Sequence, residues 1–133
     1  MGKSSDDALL SIAPYERPFV LTRNATAGTM RYCSSTWTGD NTTSWASLRG
    51  SNAIHLTSTL GLLPMTGSDI GGFEGPQPSP GWVQTGIHTP RFAINCFKTG
   101  EDNLVGDVIE PWMYPEILPE VREAIRRRYE LIP

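Results

Sequence analysis

Three short apolar runs in this chain each open onto polar residues and then onto a stretch with helical spacing. They are Phe19-Val20-Leu21-Thr22-Arg23, Leu62-Leu63-Pro64-Met65-Thr66 and Arg91-Phe92-Ala93-Ile94-Asn95-Cys96-Phe97. Strand, polar loop and helix in repeated order is the rhythm of an α/β fold with parallel strands. In such folds the chemistry collects at the C-terminal ends of the strands. The polar groups that fall there are Arg23 with Asp40, then Asp69 with Phe73, then Asn95. Several strand ends, each offering a polar side chain, form the pattern of a barrel active site.

The segments between the runs complete this reading. Residues 1–13 are a weak start, and Pro14 and Pro18 bracket a turn. Phe19–Arg23 reads as a buried strand, and residues 24–43 as one long polar loop, of the kind that tends to be functional. Thr42 or Thr43 caps a following helix, in which Trp45, Leu48, Ala53, Ile54 and Leu60 fall roughly on one side. Gly61 ends that helix. The run 62–66 reads as a strand despite its proline, and it leads into the loop GSDIGGFEG. A proline-rich turn, 76–80, and a brief helix from Trp82 to His88 come next. Residues 98–109 read as a charged loop with Asp102 and Asp107 solvated. Pro119 opens a terminal helix whose apolar face is Val121, Ala124, Ile125 and Tyr129. Arg126, Arg127 and Arg128 read as its solvated end, where cations suit the dipole.

Composition excludes several functions. A net charge of −3 over 133 residues gives no electrostatic grip on nucleic acid or anionic lipid. No apolar run is long enough to span a bilayer. MGKSSDD is not a secretory leader; it resembles a myristoylation start, but Asp6 stands where Ser or Thr is required. Cys33 and Cys96 lie far apart with no CxxC, so they read as buried or half-buried thiols. His55 and His88 lack clustered ligands and read as structural, so no metal site is expected. GSDIGGFEG lacks the GxGxxG order and has no Walker lysine, which argues against nucleotide binding. N-x-T sequons occur at Asn24 and Asn41 and matter only in a secretory compartment.

The stretch TWTGDN, residues 36–41, raises the main chemical question. Gly39, Asp40 and Asn41 are all turn formers, so local chemistry makes Asp40 a turn residue. Its place after a strand, with polar groups at the other strand ends, favours a working acid instead.

Taken together, RPFVLTRNATAGTMRY, STWTGDNTTSW, GSDIGGFEG, RFAINCFK, EPWMYPE and RRRYELIP resemble glycoside hydrolase family 31, the α-glucosidase family. The likeness covers nearly the whole chain after about residue 14. It implies a partial (β/α)8 TIM barrel, about its last three β/α units, with residues 1–133 a single fragment and 1–13 a weakly determined leader. It also implies an O-glycosyl hydrolase that cleaves α-linked glycosides with retention, through two carboxyl groups and without a cofactor. By this resemblance Asp40 is the general acid/base. Trp37 would wall the site, and an apolar wall favours the protonated form that a general acid needs. Arg23 would reach the sugar next to the scissile bond. Asp69 would bind sugar hydroxyls, Phe73 would form an apolar wall, and Asn95 would bind a hydroxyl. The implied ligand is an α-glucoside or oligosaccharide, with neither nucleic acid nor membrane as partner.

Three departures from the family pattern stand out. The acidic motif that carries the family's nucleophile has no counterpart here, so the rest of the barrel is needed for a complete site and the isolated chain is expected to be inactive. Asn95 stands where many members have histidine. Gly81 replaces an arginine before Trp82, in a shortened segment. The alternatives are a non-catalytic carbohydrate-binding remnant and a truncated gene product. Glu110, Trp112 and Tyr114 read as an aromatic loop packed over the last helix.

Overall fold

The computed structural model describes residues 1–75, 80–99, 105–108, 110, 112 and 115–133. In chain order the elements are α1 (Gly2–Ile12), β1 (Leu21–Thr22), a 3-10 turn (Thr29–Arg31), β2 (Ser35–Trp37), α2 (Trp45–Leu60) and β3 (Thr66–Ile70). They continue with α3 (Pro80–Gly86), β4 (Arg91–Ile94), β5 (Phe97–Thr99), β6 (Val105–Val108) and α4 (Leu118–Leu131). Strands β1 to β4 form one sheet in sequence order, and every neighbouring pair is parallel. Strands β5 and β6 pair antiparallel. The fold class is therefore α/β, with four parallel strands where the apolar runs alone point to three.

The differences from the sequence reading share a physical cause. Strand β2 lies inside the stretch 24–43 that reads as loop, and β3 is Thr66–Ile70 rather than 62–66. Every residue of β3 is buried although most are small or polar, so hydrophobicity does not mark it. Strand β1 is only two residues long, and Phe19 and Leu21 are exposed, with Val20 alone in that run buried. The weak start forms α1, none of whose residues is buried. The β5–β6 hairpin replaces part of the charged loop 98–109.

Helix α2 is capped by Ser44, whose side chain accepts from the Ser47 N–H, rather than by Thr42 or Thr43. Its buried residues are Leu48, Ser51 and His55, while Trp45, Ile54 and Leu60 are exposed. Gly61 does end it. The buried face is polar because the outward side of β3 is polar. His55 Nδ1 lies 3.3 Å from Thr66 Oγ1, and Nε2 lies 3.1 Å from Ser68 Oγ.

Burial pushes the pKa of His55 down. The folded protein then holds the ring neutral while the unfolded chain binds a proton near its ordinary value of 6.5. The stabilising contribution is complete above that value and is lost as pH falls from it through the folded value. We expect the urea midpoint to drop on acidification across this window, and His55→Gln to flatten the drop. Equal pH slopes for the two proteins would contradict this.

The apolar core lies between β3, β4 and the helices that follow them. Ile70, Val83, Ile87, Val121 and Ala124 are buried together, with Phe92, Ile94, Ile117 and Ile125 packed against them. Pro119 stands in the first turn of α4. Tyr129, expected on the apolar face, is exposed. The arginine run is more than a solvated end. Arg128 donates to the carbonyls of Ile87 (2.7 Å), Thr89 (2.8 Å) and Pro90 (3.1 Å), with its guanidinium 5.0 Å from the Phe92 ring centroid. Arg126 pairs with Glu123 and Glu130 along the helix. Cys33 is buried and Cys96 half-buried, with the Cys96 thiol donating to the Ile70 carbonyl at 3.6 Å.

Trp112 is exposed, so it does not pack down as an aromatic loop over α4. Tyr114, Asp102 and most of the 76–80 turn lie outside the described residues. Among the described residues no helix is long and apolar enough to cross a membrane.

Candidate active site

Parallel order sends the C-terminal ends of β1 to β4 the same way, and the expected site residues follow from those ends. Arg23 comes directly after β1, Trp37 ends β2, and Asp40 sits in the loop beyond it. Asp69 is the penultimate residue of β3, Phe73 follows in the next loop, and Asn95 comes directly after β4.

Two groups of contacts form. In the first, Arg23 Nη2 donates to Asp40 Oδ1 at 3.1 Å. The side chains are 60% and 51% exposed, so the pair contributes about 1 kcal/mol or less to stability. The turn between Trp37 and Asp40 needs Gly39, which has φ +90°. A Cβ there would lie 2.6 Å from Arg23 Nη2, so glycine also leaves room for the guanidinium.

The second group surrounds Asp69, which is fully buried at 0% exposure. Its Oδ1 accepts from Asn95 Nδ2 at 2.7 Å, while among the described residues its Oδ2 has no partner at hydrogen-bonding geometry. Burial raises the pKa of this carboxyl. The hydrogen bond from Asn95 and the nearby indole N–H of Trp37 oppose the rise, the Asp40 charge adds to it, and Arg23 lowers it.

Asp40, in contrast, stays half exposed. That differs from a wall closed around Asp40. The Trp37 ring is held from behind by the Arg91 guanidinium, 4.9 Å from its centroid. Gly67 makes the packing possible, since a Cβ there would lie 2.5 Å from Trp37 Cζ3 and 2.8 Å from the Arg91 carbonyl oxygen. Gly67→Ala should destabilise the fold by about 1–3 kcal/mol and shift the tryptophan emission. An unchanged urea midpoint would rule out this contact. Phe73 is half-buried and stacks on Phe97, with centroids 5.7 Å apart and planes at 20°.

Arg91, Phe97 and Asn41 belong to this neighbourhood, and sequence reasoning gave none of them a site role. Asn41 read as a turn former and a sequon, yet its side-chain nitrogen donates to the Asp69 carbonyl at 3.3 Å. Its position directly after Asp40 was the available signal. His55 meets the hydroxyls of Thr66 and Ser68, and His88 lines a surface cavity with Glu120 and Glu123. Among the described residues no cluster of three His, Cys, Asp or Glu could hold a metal.

The chain matches the TIM-barrel domain of glycosyl hydrolases family 31 over residues 1–133. It is 39% identical to human neutral α-glucosidase C over 122 residues, covering 89% of this chain and 13% of that protein. It is 38% identical to a probable glucan 1,3-α-glucosidase of Arabidopsis thaliana over 134 residues, covering 98% of this chain and 14% of that one. Among solved structures it resembles a DNJ-bound glucosidase II α subunit with a TM-score of 0.80 and 36% identity, over 99% of this chain and 14% of that one. The chain thus spans about one seventh of the length of these relatives. Its four parallel strands are an arc of that barrel, and the chain belongs to glycoside hydrolase family 31, a family of α-glucosidases.

Proposed function

We propose that this chain supplies the acid/base and part of the sugar-binding surface of a retaining α-glucosidase site. One observation carries the reading: two carboxyl groups at adjacent strand ends occupy opposite environments. Asp40 is half exposed on a loop, and Asp69 is fully buried against Asn95. Contrasting environments assign contrasting roles.

Asp40 reaches solvent and can exchange protons with a glycosidic oxygen and then with water, as the retaining mechanism requires. Asp69 is already engaged as a hydrogen-bond acceptor, holding the Asn95 amide. Its Oδ2, buried and without a hydrogen-bond partner among the described residues, suits acceptance of a sugar hydroxyl once the surrounding loops admit one. Arg23 and Asn95 add donors around the sugar, and Trp37 and Phe73 present flat apolar faces to it. The attacking carboxylate is neither Asp40 nor Asp69, and in this reading it comes from a part of the barrel outside these 133 residues. The substrate class is an α-glucoside or oligosaccharide, in keeping with the DNJ-bound relative.

The Asp69 Oδ2, without a hydrogen-bond partner among the described residues, also favours a second reading, carbohydrate binding without turnover. The experiment is a DNJ titration of this chain, with 4-nitrophenyl α-glucoside assayed after assembly with a nucleophile-bearing part of a family 31 barrel. Binding with turnover supports the first reading, and binding without turnover the second. Absence of both contradicts each.

A further inference from the structure

We infer that Asn41 is a positioning residue that fixes the direction of Asp40 relative to the sugar-binding loop after β3. The inference rests on the reading of Asp40 as acid/base. Asn41 carries a donor and an acceptor on one planar amide, and both are used across the gap between two strand ends. Its Nδ2 donates to the Asp69 carbonyl at 3.3 Å, and its Oδ1 accepts from the Phe73 N–H at 2.9 Å. Its main-chain carbonyl accepts from the same Phe73 N–H at 2.9 Å and from the Glu74 N–H at 3.0 Å. The seam continues through Thr43, whose N–H donates to the Glu74 carbonyl at 2.7 Å. Thr43 Oγ1 donates to the Gly71 carbonyl at 2.9 Å.

The residue next to Asp40 is thus tied to both Asp69 and Phe73. A loop carrying an acid would otherwise turn freely about Gly39. The amide is specific to the task, because a carboxylate at position 41 presents only acceptors to the Asp69 carbonyl, and an alkyl side chain presents neither group. Phe73 N–H keeps its main-chain acceptor when the side chain is cut back. Truncation therefore loosens direction more than it unfolds the chain.

The test compares the wild type with Asn41→Ala and Asn41→Asp. In the 133-residue chain, amide exchange at Phe73 and Glu74 should quicken in Asn41→Ala while Ile70 in the core is unchanged. Asn41→Asp, which keeps an acceptor, should fall between. In the completed barrel, kcat for methyl α-glucoside should fall by about 10²-fold in Asn41→Ala, the scale of a misplaced reacting group. KM should move little. The kcat/KM for α-glucosyl fluoride, set by a glycosylation step whose leaving group needs little protonation, should be nearly preserved. Equal losses of kcat/KM on both substrates, or unchanged exchange at Phe73, overturn the inference. If the wild type turns over neither substrate, the acid/base reading fails by itself. The loop coupling then stands on faster exchange at Phe73 and falls without it.

Discussion

Asp40→Asn in the completed barrel is expected to lower kcat for 4-nitrophenyl α-glucoside by about 10²–10⁴-fold, the range a general acid/base supplies. Asparagine keeps the size of the side chain and still offers an oxygen to Arg23 Nη2, which now lies 3.1 Å from Asp40 Oδ1. Shape and sugar contacts are preserved, and only the transferable proton is lost. The loss in kcat/KM, which reports the glycosylation step, should be larger for poor leaving groups than for α-glucosyl fluoride, while KM falls wherever the glycosyl-enzyme accumulates. A variant that retained most of its turnover, or lost kcat/KM equally for every leaving group, would remove Asp40 from the acid/base role. The exposed ion pair adds little to folding, so the urea midpoint should stay close to that of the wild type and separate chemistry from stability.

Ile70→Ala is expected to destabilise the fold by about 2–5 kcal/mol, the cost of deleting a large core side chain and leaving a cavity. Ile70 is 1% exposed and belongs to the cluster with Val83, Ile87, Val121 and Ala124. It lies where the sheet meets both α3 and α4, so removing its methyl groups deprives two helices of their common contact. Urea unfolding should show a lower midpoint at unchanged slope. The neighbouring residue on β3 is Asp69, whose burial depends on that strand staying in place. DNJ binding should weaken in the same variant. A midpoint within experimental error of the wild type would mean that this cluster does not hold the fold.

The residues that could be read from sequence were those whose burial is apolar or whose backbone role is fixed by residue type. Val121 and Ala124 face the core, Pro119 opens α4, Gly61 closes α2, and the brief helix near Trp82 is present. The misplaced strand β3 shows the opposite case. Thr66, Ser68 and Asp69 are buried because their polar atoms meet His55 and Asn95. Such burial is satisfied by partners distant in the chain and leaves no apolar periodicity to read. The site behaves likewise. The strand–loop–helix rhythm placed Arg23, Asp40, Asp69, Phe73 and Asn95 at strand ends, and family likeness supplied their expected roles. That Arg23 pairs with Asp40, that Asn95 holds Asp69, and that Arg91 backs the Trp37 ring depend on loop directions that residue types do not dictate. Asn41 was hidden for the same reason, since a turn former and a cross-loop tie look alike in sequence.

The strand order β1-β2-β3-β4 has a kinetic meaning. Each strand pairs with the next one in the chain, so no pairing has to wait for a distant segment, and each step closes only one connection. Loop-closure entropy grows slowly with length, which makes growth from β1 toward β4 a graded sequence of comparable steps. At every stage the newest strand presents an open edge that templates its successor, and such an edge can equally recruit a strand from another molecule. The order that lines up the strand ends for chemistry therefore also makes a partly assembled arc most prone to association at its growing edge.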